Sequence, residues 1–329
     1  MTYKAIQLTK RPSGDITADI FETVELETPV LEEGQFLVKQ TYMSLDPAMR
    51  TWLNPREDSY LPPVQIGEVM RSYGVGEVVE SRNANYPVGA RVIGTTGWAE
   101  YVLGNEEMQV VDASLDPEAL LSVFFVTGLT AYVGLIKIGR PQAGETILIS
   151  GAAGSVGSLV GQIAKAEGLR VVGTAGSDEK CRWLEDELGF DKAINYKSDD
   201  LAAQLDAACP NGIDLFFENT GGPIQQLAYE RMNRFGRIVV CGMISEYSLE
   251  KPAPGPNWMD INLKGLRVEG FVVPDHYDKA EEATAALANL VQSGQIRFRT
   301  HVIEGLESAK EGVSLLFSGE NQGKLLVKL

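Results

Sequence analysis

The stretch ILISGAAGSVGSLVGQIAKAEGLRVVGTAGSDEK, from Ile147 to Lys180, decides how the rest of the chain is read. An apolar run, ILIS, leads into a turn with Gly151, Gly154 and Gly157, then into the amphipathic LVGQIAKAEG and a second apolar run, RVVGTAG. Glycines at this spacing let the chain turn tightly, let its backbone approach a pyrophosphate, and let the helix opened by Ser155 and Val156 pack close to its strand. The N-terminus of such a helix offers unpaired N–H groups and a partial positive charge to an anion. A tight turn without a ligand would leave this strand–turn–helix–strand order unexplained, so the segment is read as a dinucleotide site.

The tail of the segment bears on which dinucleotide. A site for NAD expects Asp or Glu at the end of the second strand, about 20 residues past the glycines, to hold the ribose 2′-OH. Here that position reads Gly173, Thr174, Ala175, Gly176, and Lys180 follows in the first turn of the next expected helix. A lysine there opposes the helix dipole, whereas Asp178 and Glu179 suit it. Lys180 is either a solvated surface charge or a contact for a 2′-phosphate; its awkward position favours the phosphate, and NADPH is the expected cofactor.

Composition narrows the rest. The chain has 329 residues, 44% of them hydrophobic, enough for two domains with separate cores. With 29 Lys and Arg against 45 Asp and Glu, the net charge of -16 repels nucleic acid and anionic membrane. The opening MTYKAIQLTKRPSGD lacks the apolar core of a signal peptide, and no charge-free run is long enough to span a bilayer, so a soluble, cytoplasmic protein is expected. Cys181, Cys209 and Cys241 lie far apart with no CxxC pair, which reads as buried reduced thiols rather than a disulfide framework or a zinc lobe.

The texture changes along the chain. From Tyr3 to about Gly104 short alternating segments are separated by Gly, Pro and Asn turns, which reads as mostly β. After the helical DPEALLSVFFVTGLTAYVGLIKIG, the runs ETILISG, RVVGTAG, KAINY, DLFFENTG and RIVVCG alternate with helical patterns. Such alternation implies βαβ units and a doubly wound parallel sheet covered on both faces, an α/β fold. The segment EYSLEKPAPGPNW reads as a long loop, and the tail from Ile296 offers a strand, a helix and a last strand that need not belong to the parallel sheet.

These segments together, with SLDPAMR, VTGLTAY, ENTGG, CGMIS, VEGFVV and SGENQGK in that order, resemble the zinc-free medium-chain dehydrogenase/reductase superfamily. Within it the chain is similar to the leukotriene hydroxydehydrogenase, prostaglandin reductase and alkenal double-bond reductase group, and SYLPPVQIGEVMRSYGVGEVV resembles the bacterial curcumin-reductase type. The resemblance covers nearly the whole chain. It implies a GroES-like catalytic domain over 1–125, a Rossmann NADPH-binding domain over 126–299, a return to the catalytic domain over 300–329, a cleft where the two meet, and a homodimer.

Carried onto this sequence, the family pattern implies that Lys180 and Tyr196, beside Gly176, contact the 2′-phosphate. It implies that Asn219 and the loop with Cys241, Gly242, Ile244, Ser245 and Tyr247 follow the ribose and pyrophosphate, Phe271, Val272 and Val273 the nicotinamide, and Asn321 the far side of the cofactor. Without the resemblance, Tyr196 reads as an aromatic at a strand end, and Asn219 and Asn321 as turn residues.

No metal is expected. The N-terminal half has no cysteine and no histidine, His276 and His301 lie far away, and where zinc relatives carry Gly-His-Glu this chain has Ile66, Gly67 and Glu68. Reduction of an activated C=C bond needs a hydride and hydrogen-bond donors at the carbonyl, whereas alcohol oxidation would want a Lewis acid. The reading is therefore an NADPH-dependent reductase of α,β-unsaturated aldehydes or ketones, with a quinone reductase and a non-catalytic NADPH-binding protein as alternatives. Tyr60 is the expected catalytic residue: the resemblance puts it near the substrate carbonyl, whereas the residues alone favour an aromatic packed on Pro62 and Pro63. His276 reads as a surface histidine or as a proton source. WMDINLKGLRVEGFVV lacks the second tyrosine that some relatives carry before the GFVV strand.

Overall fold

In the computed structural model, which describes every residue except Glu57 and Pro252, the alternating N-terminal segments form β1 (Thr2–Leu8), β2 (Phe21–Glu27), β3 (Phe36–Ser44), β4 (Arg71–Ser81), β5 (Arg91–Gly97), β6 (Tyr101–Leu103) and β7 (Gln109–Val111). There follow β8 (Thr146–Ile149), β9 (Arg170–Ala175), β10 (Lys192–Asn195), β11 (Ile213–Glu218), β12 (Met232–Val240) and β13 (Arg267–Gly270), then β14 (Thr300–Glu304) and β15 (Lys324–Lys328). Glu57, in the Tyr60 segment, and Pro252, in the proline-rich stretch, lie outside the described residues. The chain divides into two units, one made of Met1–Leu121 with Thr300–Leu329, the other of Ser122–Arg299.

The first unit is mostly strand. Its seven-stranded sheet runs β14-β15-β3-β4-β5-β7, with β6 also pairing β3, and β1 and β2 form a separate antiparallel pair. The tail thus returns to this sheet, with β15 antiparallel to β3 and parallel to β14. Phe36 and Tyr86 stack at 4.0 Å with Val38, Val78, Val92 and Met108 around them, a core that alternation along β3 and β4 delivers. Lys324 on β15 is 3% exposed and pairs with Asp46, fastening the returning tail to the SLDPAMR segment.

The second unit carries a six-stranded sheet, parallel throughout, in the order β10-β9-β8-β11-β12-β13. Successive side chains on each strand enter opposite cores. Ile147, Val171, Phe217 and Val239 join one apolar cluster, while Leu148, Val172, Phe216 and Ile238 join the other. Full burial of each such side chain contributes roughly 1.5–3 kcal/mol, and a sheet with both faces apolar must be covered on both. From β8 the chain proceeds to β9 and β10 on one side and then returns to β11 on the other, so β8 and β11 flank a topological switch point.

Two expectations are corrected here. The strand at VEGFVV stops at Gly270; Phe271 turns inward to pack on the core, and a 3-10 segment, Val273–Lys279, has Pro274, which has no N–H for a ladder, in its first turn. Of the three cysteines, Cys181 and Cys209 are buried residues, whereas Cys241 is a partly exposed residue whose thiol is nevertheless desolvated. Among the described residues, no helix is long and apolar enough to cross a membrane.

Candidate functional site

The glycine turn sits at the switch point. Gly151, two residues past the end of β8, has φ +59°, a left-handed conformation that favours glycine. Gly154 precedes the helix Ser155–Ala166 and gives its first turn no side-chain cap. Ser155 and Val156 open that helix, with Val156 also packing on the core below. A Cβ on Gly157 would lie 2.5 Å from the Gly151 carbonyl oxygen and 2.8 Å from Ala152 Cα, both backbone atoms with no freedom to retreat. The turn is therefore a close backbone cradle ending in uncapped helix amides, which fits a pyrophosphate.

Across the switch point, Asn219 follows β11 and donates through its side-chain amide to the Ser150 carbonyl (2.7 Å) and through its backbone N–H to the Ser150 hydroxyl (2.8 Å). The loop after β12 closes on the same residues. Cys241 and Gly242 donate their N–H groups to the Glu218 carbonyl, Ile244 donates to the Asn219 carbonyl, and Ser245 donates to the Thr220 carbonyl from its hydroxyl (2.6 Å) and its amide (2.9 Å). The Tyr247 hydroxyl accepts from the Met243 N–H (3.3 Å). Burial, with the nearby Glu218 carboxyl, pushes the Cys241 thiol up to about 12, so it is a neutral group in this loop.

At the end of β9 the structure brings together Gly176, Lys180 and Tyr196. Ser177 caps the next helix, Asp178–Asp186, by accepting from the Lys180 N–H, which puts Lys180 in its first turn. Tyr196 follows β10, and its hydroxyl would lie 3.2 Å from a Cβ on Gly176, so the absent side chain leaves the ring its place over the strand end. Lys197 joins them with its ammonium 5.9 Å from the Tyr196 ring centre. Burial first, and the Lys197 charge second, hold the Lys180 ammonium below the usual lysine range. Lys180 and Lys197 thus bring positive charge to the strand end where the ribose-binding acid is missing.

Phe271 packs where a Cβ on Gly134 would come within 2.8 Å of both its ring and that of Phe217, and it meets His276 edge-on at 6.1 Å. The ring is thus a packing element, and the Val272 carbonyl accepts from the Asp275 N–H (3.2 Å). His276 is partly buried against it.

In the first unit, Tyr60 lies on a loop whose two ends are tied. The Val64 N–H donates to the Trp52 carbonyl (2.9 Å), and the Arg11 guanidinium donates to the carbonyls of Leu53 (3.0 Å) and Val64 (2.5 Å). The indole N–H of Trp52, a residue only 1% exposed, donates to the Tyr60 hydroxyl at 2.8 Å. Burial raises the phenol above its ordinary range; Trp52 and Thr51 oppose that, Asp46 adds to it and Arg71 lowers it. Asn321 lies in the turn before β15 and donates to the Gly323 carbonyl (2.9 Å).

Residues 4–111 match the family described as the N-terminal domain of oxidoreductase, and residues 155–291 the family described as zinc-binding dehydrogenase. The NADPH-dependent curcumin reductase of Escherichia coli is 38% identical over 98% of this chain and 95% of its own. The NADP-dependent 2-alkenal reductase of Nicotiana tabacum is 38% identical over 93% and 90%. The chain belongs to the medium-chain dehydrogenase/reductase family. The crystal structure of CurA from Vibrio vulnificus in complex with NADPH superposes with a TM-score of 0.95 at 37% identity, covering 99% of this chain and 98% of that one.

The zinc in one family description has no counterpart in side chains: among the described residues, no group of three or more His, Cys, Asp and Glu could hold a metal ion. Within this medium-chain dehydrogenase/reductase, the sequence reading missed Lys197, Trp52, Arg11 and Glu218. A lysine adjacent to the strand-end tyrosine was a signal for Lys197. Trp52, Arg11 and Glu218 meet their partners only through the fold.

Proposed function

We propose that the protein reduces the C=C bond of α,β-unsaturated aldehydes or ketones with NADPH. The observation that carries this reading is the Tyr60 phenol, which is fixed by the Trp52 indole N–H and yet 40% exposed. Its raised pKa keeps the phenol proton in place at neutral pH. Full-length similarity to proteins named for 2-alkenal and curcumin reduction supports the substrate class.

When bound, NADPH supplies the hydride that adds to the β-carbon. Negative charge then collects on the carbonyl oxygen, Tyr60 donates a hydrogen bond to it, and a proton taken from water at the α-carbon, leaving hydroxide to the buffer, completes the saturated carbonyl compound. A donor aimed at such developing charge contributes on the order of 2.7–4 kcal/mol in comparable sites. The uncapped amides at Ser155, Val156 and Gly157 hold the pyrophosphate, and Lys180, Lys197 and Tyr196 the 2′-phosphate. Asn219 and the Cys241–Tyr247 loop order the ribose, the backbone of Phe271, Val272 and Val273 the nicotinamide, and Asn321 the remaining side.

The working form is a homodimer built on the β13 edge. That strand ends the sheet with Val268 exposed, and Phe235, Trp258, Met259 and Leu263 beside it are 70%, 79%, 54% and 66% exposed. An open edge rimmed by large apolar side chains is the pattern that a second copy covers. Sedimentation should give a dimer that Trp258→Asp with Val268→Lys converts to monomer; a wild-type monomer overturns this part. Three unpaired thiols suit a reducing, cytoplasmic setting.

The deciding experiment follows NADPH absorbance with a series of enals and enones beside a series of quinones, and identifies the product. Saturated aldehyde or ketone supports the reading. Turnover of quinones alone, or tight NADPH binding with no turnover of any acceptor, overturns it.

A further inference from the structure

Glu218 closes β11 with no exposure to solvent, and nothing in the reaction proposed above uses it. Its Oε1 accepts from the Ser150 hydroxyl (2.6 Å), the Thr220 N–H (2.8 Å) and the Gly221 N–H (3.0 Å). Its Oε2 is equally buried and has no hydrogen-bond partner among the described residues. No cation pairs with it there either. The titratable groups that bear on it are Tyr229, from the helix Pro223–Arg231, and Cys241 after β12, both pushed up to about 12 and so neutral.

An ionised carboxylate would be expensive in this place, since a buried charge needs a counter-charge or hydrogen bonds on both oxygens. A neutral acid needs much less. Its carbonyl oxygen can take several donors while its hydroxyl occupies the other position, which is the one-sided pattern observed. Burial also moves the Glu218 carboxyl above the usual range.

The donors it gathers, one hydroxyl and two backbone N–H groups, belong to the segments around the candidate dinucleotide site. Ser150 precedes Gly151 and accepts from the Asn219 N–H, and the Thr220 carbonyl in turn holds Ser245. One carboxyl oxygen thus joins the end of β8, the loop after β11 and, through Thr220, the loop after β12. We propose that Glu218 is a positioning residue for the dinucleotide, an un-ionised acid whose carbonyl oxygen fastens the glycine turn to the two loops beside it. The proposal rests on the NADPH reading given above.

Glu218→Gln keeps the acceptor and cannot ionise; Glu218→Leu removes the acceptor. NADPH is titrated by fluorescence into wild type and both variants from about pH 6 to about pH 9.5, a range chosen to lie above the ordinary carboxylate pKa. The Gln variant should bind within about threefold of wild type with a flat pH profile, the Leu variant should bind about tenfold or more weakly, and wild-type affinity should fall toward the alkaline end. A Gln variant as weak as the Leu variant, or a folded Leu variant as tight as wild type, overturns the proposal.

Two further readouts keep the test open if the Leu variant fails to fold. A carboxylic-acid C=O band in the infrared spectrum of wild type should vanish in the Gln variant, and the Thr220 and Gly221 amides should exchange equally slowly in both at neutral pH. No difference in that band, or faster exchange in the Gln variant, overturns the neutral-acid role. If wild type does not bind NADPH, the cofactor reading fails, while the infrared and exchange results still report whether Glu218 is a neutral latch.

Discussion

The strand ends of the second unit and the Tyr60 loop of the first hold their candidate groups in opposite ways. Around Gly151 and Gly157 the arrangement is made of backbone, and side chains are excluded by contacts as close as 2.5 Å. Around Tyr60 the backbone is irregular, and one phenol is set by one indole 2.8 Å away. A site built from backbone depends on residue type at a few positions, whereas a site built from a side chain depends on a distant neighbour that holds it. The first kind should fail abruptly when a Cβ is added, and the second should lose chemistry while keeping its ligands.

The largest effect should come from Gly157→Val. Its side chain must displace the Gly151 carbonyl and Ala152, so NADPH affinity should drop by about 100-fold or more, and overpacking should lower stability by roughly 1–3 kcal/mol. Fluorescence titration and thermal unfolding check both, and near-normal affinity would break the contrast at its stronger end.

Next is Tyr60→Phe, which should lower kcat on enones by roughly 10- to 1000-fold with NADPH affinity nearly unchanged. It also leaves the Trp52 N–H without its partner, a loss of about 1–3 kcal/mol visible in the unfolding midpoint. A destabilised variant with wild-type kcat would reduce Tyr60 to a structural partner of Trp52.

Charge changes at the 2′-phosphate site sharpen the comparison, because there side chains act beside a backbone cradle. Lys180→Glu should weaken NADPH by roughly 10- to 100-fold and leave NADH almost unaffected, as loss of a charge-assisted pair predicts. Lys197→Met, at a more exposed position, should weaken NADPH only about 2- to 10-fold and reduce the salt dependence of binding. Equal losses for both cofactors would argue against a 2′-phosphate contact.

The smallest effect concerns the thiols. Burial pushes Cys181 and Cys209 up to about 11 and Cys241 to about 12. A raised thiol pKa means the neutral form persists until the pH nears that value, so alkylation of native protein at about pH 8.5 should be slow and should speed up as pH rises toward 11. Mass spectrometry of native and urea-unfolded protein measures it; rapid native labelling of Cys241 would show its loop opening.

Legibility in the sequence follows the same division. The glycine turn, the missing acid after β9 and the strand–helix alternation are consequences of local residue type, and the parallel sheet they implied is the one found. Phe271 was misread as strand because β-branched neighbours mask the effect of Pro274 and of the space beside Gly134 that admits its ring. Glu218 could not be read because Ser150, which donates to it, lies 68 residues earlier. Trp52 was equally silent: a tryptophan after MRT has no marker for a bond to a tyrosine eight residues on. Lys197 was legible in principle, since it follows Tyr196 directly.

The tie at the base of the Tyr60 loop has a consequence for how this protein can diversify. Arg11 and the Val64 amide fix the base of this loop at Leu53 and Val64, while Arg71 on β4 and Trp52 reach into it at Pro62 and Tyr60. Doubling the length of such a loop adds only about 0.6 kcal/mol of closure entropy. Under the function proposed above, substrate range can therefore drift through this one loop at small cost to the fold.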